Sequence, residues 1–289
     1  MNANDLKIEL DEQKKIMLQI LLAFARFCDE HDLQYFLDAG TLLGAVRHKG
    51  YIPWDDDIDV NMPRKHYDRF CELIRANNGY MADHLQVEFP ETTVYPFLKI
   101  SDDRAKLIEF PNKNPMEVGV YIDVFPKDGI YKLDWRSKIL CETSRMCNLI
   151  HWFNTFSIYA WEKEKSKIKR GIAAIGRRLI KHPNRPLVWQ TALIRRHNNK
   201  YPVERCGYVT TLVNGEFFRC APRDCFDEAI EMDFEGYRFT APKGYDTYLK
   251  VLYSDSYMTP PPPEKQIKHH NTHAFWASEE AKNNFYNSL

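Results

Sequence analysis

The segment Trp54-Asp55-Asp56-Asp57-Ile58-Asp59-Val60 constrains this chain more than any other. Ile58 to Met62 reads as a strand, stopped by Pro63. Asp57 and Asp59 are two residues apart, so strand alternation puts both carboxylates on one face. Two carboxylates aimed at one point repel unless a cation lies between them. Hard oxygen donors of this kind suit magnesium or manganese. The same alternation turns Asp56 to the opposite face, where it would brace the loop. Asp55 lies in the loop, where alternation need not hold, so its role stays open. An acidic run alone is equally the mark of a solvated loop, a helix cap or a calcium-binding turn; its neighbours decide.

Those neighbours point to phosphate. Tyr35-Phe36-Leu37 reads as a short buried strand, and Leu42 to Arg47 as a short helix that Thr41 would cap. Gly40-Thr41 therefore lies between a strand and a helix start, where backbone amides can face a phosphate. The missing side chain at Gly40 allows close approach. A third acid, Asp123, stands inside the apolar run Val120-Tyr121-Ile122-Asp123-Val124-Phe125. An acid there is costly without a metal or hydrogen-bonding partner. It is a candidate metal ligand, or the general base for an acceptor hydroxyl.

Composition bounds the rest. Forty acidic and forty basic side chains give zero net charge, so no global basic field for nucleic acid exists. The seven cysteines are odd in number and form no C-x-x-C pair, which predicts reduced thiols and neither a zinc ribbon nor a disulfide framework. Met1 to Asp5 shows no secretory n-region, and the apolar run from Ile16 to Phe27 is broken by Gln19 and Arg26, too short and polar to span a bilayer. A cytoplasmic protein is expected, with possible peripheral contact at the inner face of the cell membrane.

The pattern predicts helices over about 9–30, His66–Ala76 and Tyr245–Leu252, and a long helical region from about Asp134 to Ile180. Strands are expected at Leu85–Phe89, Phe97–Ile100, Lys106–Phe110, Val118–Phe125 and Tyr237–Thr240. Pro260 to Pro263 precede a polar C-terminal helix. The expected organisation is a catalytic core over 1–130 and a mainly helical region over 131–289 that completes the cleft. Within the second lies a basic helical segment, 160–185.

The stretch from Leu37 to Val60, holding Gly40-Thr41 and Trp54-Asp55-Asp56-Asp57-Ile58-Asp59, closely resembles the LicD family, which includes the fukutin-type transferases. The resemblance continues through Tyr121 to Pro126 and reappears in Phe234-Glu235-Gly236, in Ala241 to Tyr245 with Tyr248-Leu249, and in Tyr257 to Pro261. It is poorest from about Asp134 to Arg205. It implies an α+β, polymerase-β-like nucleotidyltransferase core. It also implies transfer of a substituted phosphate, typically phosphocholine from CDP-choline, to a hydroxyl of a cell-surface glycan precursor, with release of CMP. By that match Asp57 and Asp59 are the metal pair, for Mg2+ or Mn2+, and Asp123 is the third acid. Thr41 stands where Ser is common, with its hydroxyl retained. Headgroup and acceptor do not carry over, because the family varies in both. The same acids also serve a true nucleotidyltransferase that releases pyrophosphate, and a catalytically silent nucleotide- or glycan-binding protein is a third reading.

Other residues gain meaning from that context. Arg47 leads the trio Arg47-His48-Lys49 as a holder of donor phosphate, against a solvated basic loop. Lys99, in an apolar strand, either reaches phosphate in the cleft or snorkels to water from a sheet edge. Trp54 either faces the quaternary ammonium of choline or packs the loop on the core; Tyr51, Tyr95 and Tyr121 are further aromatic candidates. His269 and His270, without partners at ligand spacing, read as surface residues. From Glu162 to Lys181 eight basic residues face two acids, and Ile168, Ile172, Ile175 and Leu179 share a helix face. This helix over 163–181 either lies on an anionic membrane, suiting a lipid-linked acceptor, or docks on the domain as a solvated helix.

Overall fold

A short strand β1 (Lys7–Ile8) leads into helix α1 (Leu10–Glu30). Ile16, Ile20, Leu21, Phe24 and Cys28 recur at helical spacing, and all are fully buried against the sheet. The structure, a computed structural model, describes residues 6–91, 93–109, 116–157, 167–168, 171, 185–266 and 273–287. After α1 come β2 (Phe36–Leu37), α2 (Ala39–His48), β3 (Asp59–Pro63) and α3 (Arg64–Ala76). Then follow β4 (Tyr80–Ala82), β5 (Leu85–Glu88), β6 (Leu98–Glu109), β7 (Met116–Ile130) and α4 (Trp135–Trp152). The remaining elements are α5 (Arg185–Lys200), β8 (Tyr208–Thr210), β9 (Ala221–Pro222), β10 (Ala229–Phe234), β11 (Tyr237–Pro242), α6 (Tyr245–Tyr253), β12 (His273–Trp276) and α7 (Glu279–Asn287).

Among the described residues, one mixed sheet of ten strands has the central order β1-β12-β6-β7-β3-β2, with β5 and β4 branching from β6, and β8 and β9 from β7. β10 and β11 form a separate hairpin. The α+β expectation holds: a large mixed sheet with flanking helices. Two registers matter for function. β3 runs parallel to β7 with Asp59 beside Asp123, and β6 runs antiparallel to β7 with Lys99 beside Asp123. Asp59, Asp123 and Lys99 thus form one row across three strands.

Several expectations need correction. The strands expected at Phe97–Ile100 and Lys106–Phe110 are one continuous strand, β6, with an irregularity between Asp102 and Leu107. The polar residues between them do not break it, because the buried Asp102 carboxylate is held by Arg104 at 2.7 Å. The boundary at residue 130 does not divide the sheet: β12 pairs with β6, and β8 with β7. Among the described residues, the part beyond it contributes five short strands beside helices α4 to α7. The expected helical region from Asp134 begins as α4, whose N-cap Asp134 accepts from the Arg136 and Ser137 amides. A π turn over Phe153–Ser157 follows it, and 158–166 lie outside the described residues. The basic segment 160–185 lies outside the described residues except for Lys167, Ile168, Gly171 and Arg185, and so do His269 and His270. The seven cysteines are free thiols.

Candidate active site

The α2 N-terminus builds the first wall. Its N-cap is Asp38, whose carboxylate accepts from the Ala39 amide at 2.9 Å. The Asp38 side chain also takes a hydrogen bond from the Tyr248 hydroxyl and an ion pair from Lys127 at 3.0 Å. Ala39 sits at φ 41°, in the left-handed region that strains a residue bearing a Cβ. Thr41, expected as the cap, does not serve as one. Its buried hydroxyl accepts from the Asp59 amide at 2.8 Å and so ties α2 to the start of β3. Gly40 is where an added Cβ would lie 2.6 Å from Asp55 Oδ2, so its missing side chain makes room for that carboxylate.

The acidic loop is held from three sides. Asp55 closes a turn onto the Ile52 carbonyl at 2.9 Å. Lys14 of α1 reaches the carbonyls of Ile52 and Pro53 at 3.5 and 3.4 Å. The β10–β11 turn clasps the loop from outside. There Glu235 accepts from the Tyr51 amide at 3.0 Å and donates its own amide to the Lys49 carbonyl at 2.9 Å. That accounts for the Phe234-Glu235-Gly236 block far away in sequence.

Asp55, Asp56 and Asp57 bring carboxylate oxygens within 4.8 Å of one another. Asp56 therefore does not turn away, because strand geometry begins only at Asp59 and alternation does not govern the residues before it. Burial, then repulsion from Asp57, pushes the Asp55 carboxyl up to about 8. Asp59 is held well above the ordinary carboxyl range by burial first, then by Asp57 and Asp123. Asp123 is likewise raised by burial, with Lys99 opposing at 2.8 Å from its Oδ1. Asp57, Asp59 and Asp123 are thus electrostatically one cluster, joined by Asp55.

An open cleft of about 720 Å³ exposes the acids Asp55, Asp57 and Asp59. Gly40, Arg47 and Trp54 line it, together with Arg219, Tyr253 and Tyr257. Arg47 donates to the Tyr257 carbonyl at 2.8 Å, so the cleft wall near the Pro260 run is pinned to α2. Lys99 is corrected on both counts. It neither lines the cleft nor reaches water, being 1% exposed between the Tyr95 and Tyr121 rings at 4.0 and 3.2 Å. Of the aromatic candidates only Trp54 lines the cleft. Tyr51 is spent on the Lys14 carbonyl, and Tyr95 and Tyr121 donate to Glu109. Asp38, Lys127, Arg219, Tyr253 and Tyr257 escaped sequence reasoning as site residues. Asp38 had a signal, being an N-cap residue type beside Gly40; Arg219 had none.

Comparison with known proteins places part of the chain beside known transferases. Residues 32–138 match the family described as LicD/FKTN/FKRP, nucleotidyltransferase domain. The chain is 29% identical to the lipopolysaccharide cholinephosphotransferase LicD of Haemophilus influenzae, over 93% of this chain and 98% of that one. It is 26% identical to the human ribitol 5-phosphate transferase FKRP, over 35% of this chain and 19% of that one. It is also 26% identical to mannosyltransferase regulator 4 of Saccharomyces cerevisiae, over 43% of this chain and 10% of that one. With the acid row, the α2 N-terminus and the cleft in place, residues 32–138 are similar to the LicD/FKTN/FKRP nucleotidyltransferase domain, and most of the chain is similar to a LicD cholinephosphotransferase.

Proposed function

We propose that the protein transfers a substituted phosphate, in the first instance phosphocholine from CDP-choline, to a hydroxyl of a cell-surface glycan or glycolipid precursor, releasing CMP. The observation that carries this reading is the composition of one cleft: three acids, two arginines and three aromatic rings. The loop acids Asp55, Asp56 and Asp57, whose oxygens come within 4.8 Å of one another, would hold a divalent cation, Mg2+ or Mn2+, with Asp59 beside them in the cleft; they are hard oxygen donors, and a cation relieves the burial and repulsion that raise Asp55 and Asp59. Asp123 adjoins them as the third acid of the expected set. When bound, such an ion neutralises charge on the transferring phosphoryl oxygens. Arg47 and Arg219 supply fixed positive charge for the donor's phosphates. Trp54, Tyr253 and Tyr257 offer ring faces to a quaternary ammonium. The barrier then falls mainly through positioning and charge neutralisation.

The test is a panel of CDP-linked donors (choline, ethanolamine, glycerol and ribitol) scored for CMP with and without Mg2+. CMP release from at least one donor, only with the divalent ion, is expected. Pyrophosphate release from a nucleoside triphosphate instead would favour the nucleotidyltransferase reading. Metal-dependent nucleotide binding without turnover would favour a silent binding protein, a reading to which the yeast relative's name as a regulator lends its one observation.

We also propose peripheral contact with an anionic membrane, at its cytoplasmic face, through 163–181. No helix among the described residues is long and apolar enough to cross a membrane. α4, which leads toward that segment, exposes Trp135, Ile139, Leu149 and Ile150, apolar material suited to an interface. The chain should sediment with phosphatidylglycerol vesicles at low salt and lose this when Lys163, Lys165, Lys167 and Lys169 become Gln. Sedimentation unchanged by those substitutions would sink the idea.

A further inference from the structure

A second cavity, of about 510 Å³, opens beside the far end of β3. Asn61, Arg64, His66, Lys127, Asn198 and Phe226 are among its lining residues. Asn61 follows Asp59 by two residues on the same strand face, about 7 Å along the strand. The Asp38–Lys127–Tyr248 cluster links the two sites, since Lys127 lines this cavity and pairs with the α2 cap beside the acid cleft.

Asn61 is fully buried, and among the described residues neither its Oδ1 nor its Nδ2 has a hydrogen-bond partner. Asn198 donates to Asp128 at 2.7 Å, yet its buried Oδ1 also has no partner. Two amide groups left unsatisfied at one cavity go against the rule that buried polar groups are paired. Two of the unpaired atoms are acceptors and one is a donor. His66 accepts the Gln34 amide on Nδ1 at 3.1 Å, which puts the proton of the neutral ring on Nε2 and adds a second donor. An anion with no O–H or N–H of its own cannot meet this set, because it brings no proton for the two amide oxygens.

Charge agrees. Arg64 is committed to Asp128 at 2.7 Å, Lys127 to Asp38, and Arg223 to Asp227. Among the described residues, Lys65 is the one cation lining the cavity that has no such ion pair, and Glu204 lies on the same lining. A ligand whose groups both donate and accept, with an apolar face for the half-buried Phe226 ring, is a polyhydroxyl one.

We propose that this cavity is a second binding site, for a neutral sugar unit. Assigning that sugar to the acceptor glycan rests on the transferase reading above; the binding itself does not. Saturation-transfer NMR on the full chain, without nucleotide or divalent ion, tests it with methyl glycosides of glucose, galactose and N-acetylglucosamine. At least one glycoside should bind saturably, and Asn61→Ala should weaken it at least tenfold. Asn198→Ala, at a half-buried position, should weaken it in the same direction and carries the test if Asn61→Ala fails to fold. Absence of saturable binding by all three glycosides overturns the proposal. So does glycoside binding that both variants leave unchanged, or inorganic phosphate that binds and is lost in those variants. Because donor turnover is scored separately, failure of the CDP panel with glycoside binding intact removes only the acceptor assignment.

Discussion

Asp59→Asn is expected to lower CMP release from the accepted CDP-linked donor by about 10³-fold or more while making the fold more stable. The first effect follows from charge. Replacing one of the clustered carboxylates with a neutral amide removes several kcal/mol of charge stabilisation at the transferring phosphoryl group, and 1.36 kcal/mol is tenfold in rate. The second follows from burial. The Asp59 carboxyl is held well above its ordinary 3.8, by burial first and then by Asp57 and Asp123. A raised folded-state value means that the folded protein binds the proton more tightly than the unfolded chain. Stability from this group is therefore present below 3.8 and is lost as pH rises through the folded value. Asp55, raised to about 8, loses its own contribution as pH rises from 3.8 toward that value. The stability gained by Asn should be small in acid and grow as pH rises. Thermal unfolding with pH, run without added divalent ion, and the CMP assay, run with it, measure the two effects. A folded Asp59→Asn protein with near-wild-type turnover would refute the assignment.

How far the sequence carried depends on what each residue's placement required. The oddness of Asp123 in an apolar strand needed only local periodicity, whereas Asp57 lies before the first strand residue and reaches the same cleft as Asp59 from the loop. That Asp123 pairs with Asp59 in parallel register, and with Lys99 on its other side, needed the strand order. Lys99 shows the cost of lacking it. Flanked by Leu98 and Ile100, it reads as a lysine bound for water or ligand, yet its counter-ion lies 24 residues on, one strand away. Thr41 and Asp38 are both cap residue types, and only the helix start at Ala39 decides between them. Asp56 was assigned a face by carrying alternation back past the first strand residue, where the chain follows a turn instead. Arg219, Tyr253 and Tyr257 reach the cleft from distant segments that no local pattern ties to the acids.

Lys99→Met should destabilise the fold by about 3–5 kcal/mol, the range for removing one partner of a buried ion pair. The Lys99 ammonium is 1% exposed and lies 2.8 Å from Asp123 Oδ1, with Tyr95 and Tyr121 rings against it. Those rings are themselves fixed by their hydroxyls on Glu109. Without the ammonium, Asp123 faces Asp57 and Asp59 with no nearby positive charge, in a site where burial already raises it. It should then hold its proton to higher pH, so the activity that remains should shift its pH profile in the alkaline direction. Lys99→Met combined with Asp123→Leu separates the two roles. Replacing both charges with apolar side chains is often neutral for stability, so the double variant should recover most of the lost unfolding free energy and none of the turnover. Chemical denaturation of the single and double variants measures the coupling. A loss under 1 kcal/mol for Lys99→Met would show that the row Asp59–Asp123–Lys99 is not held together by its charge. A double variant with restored turnover would remove Asp123 from the acid set, leaving Asp55, Asp57 and Asp59 to act alone.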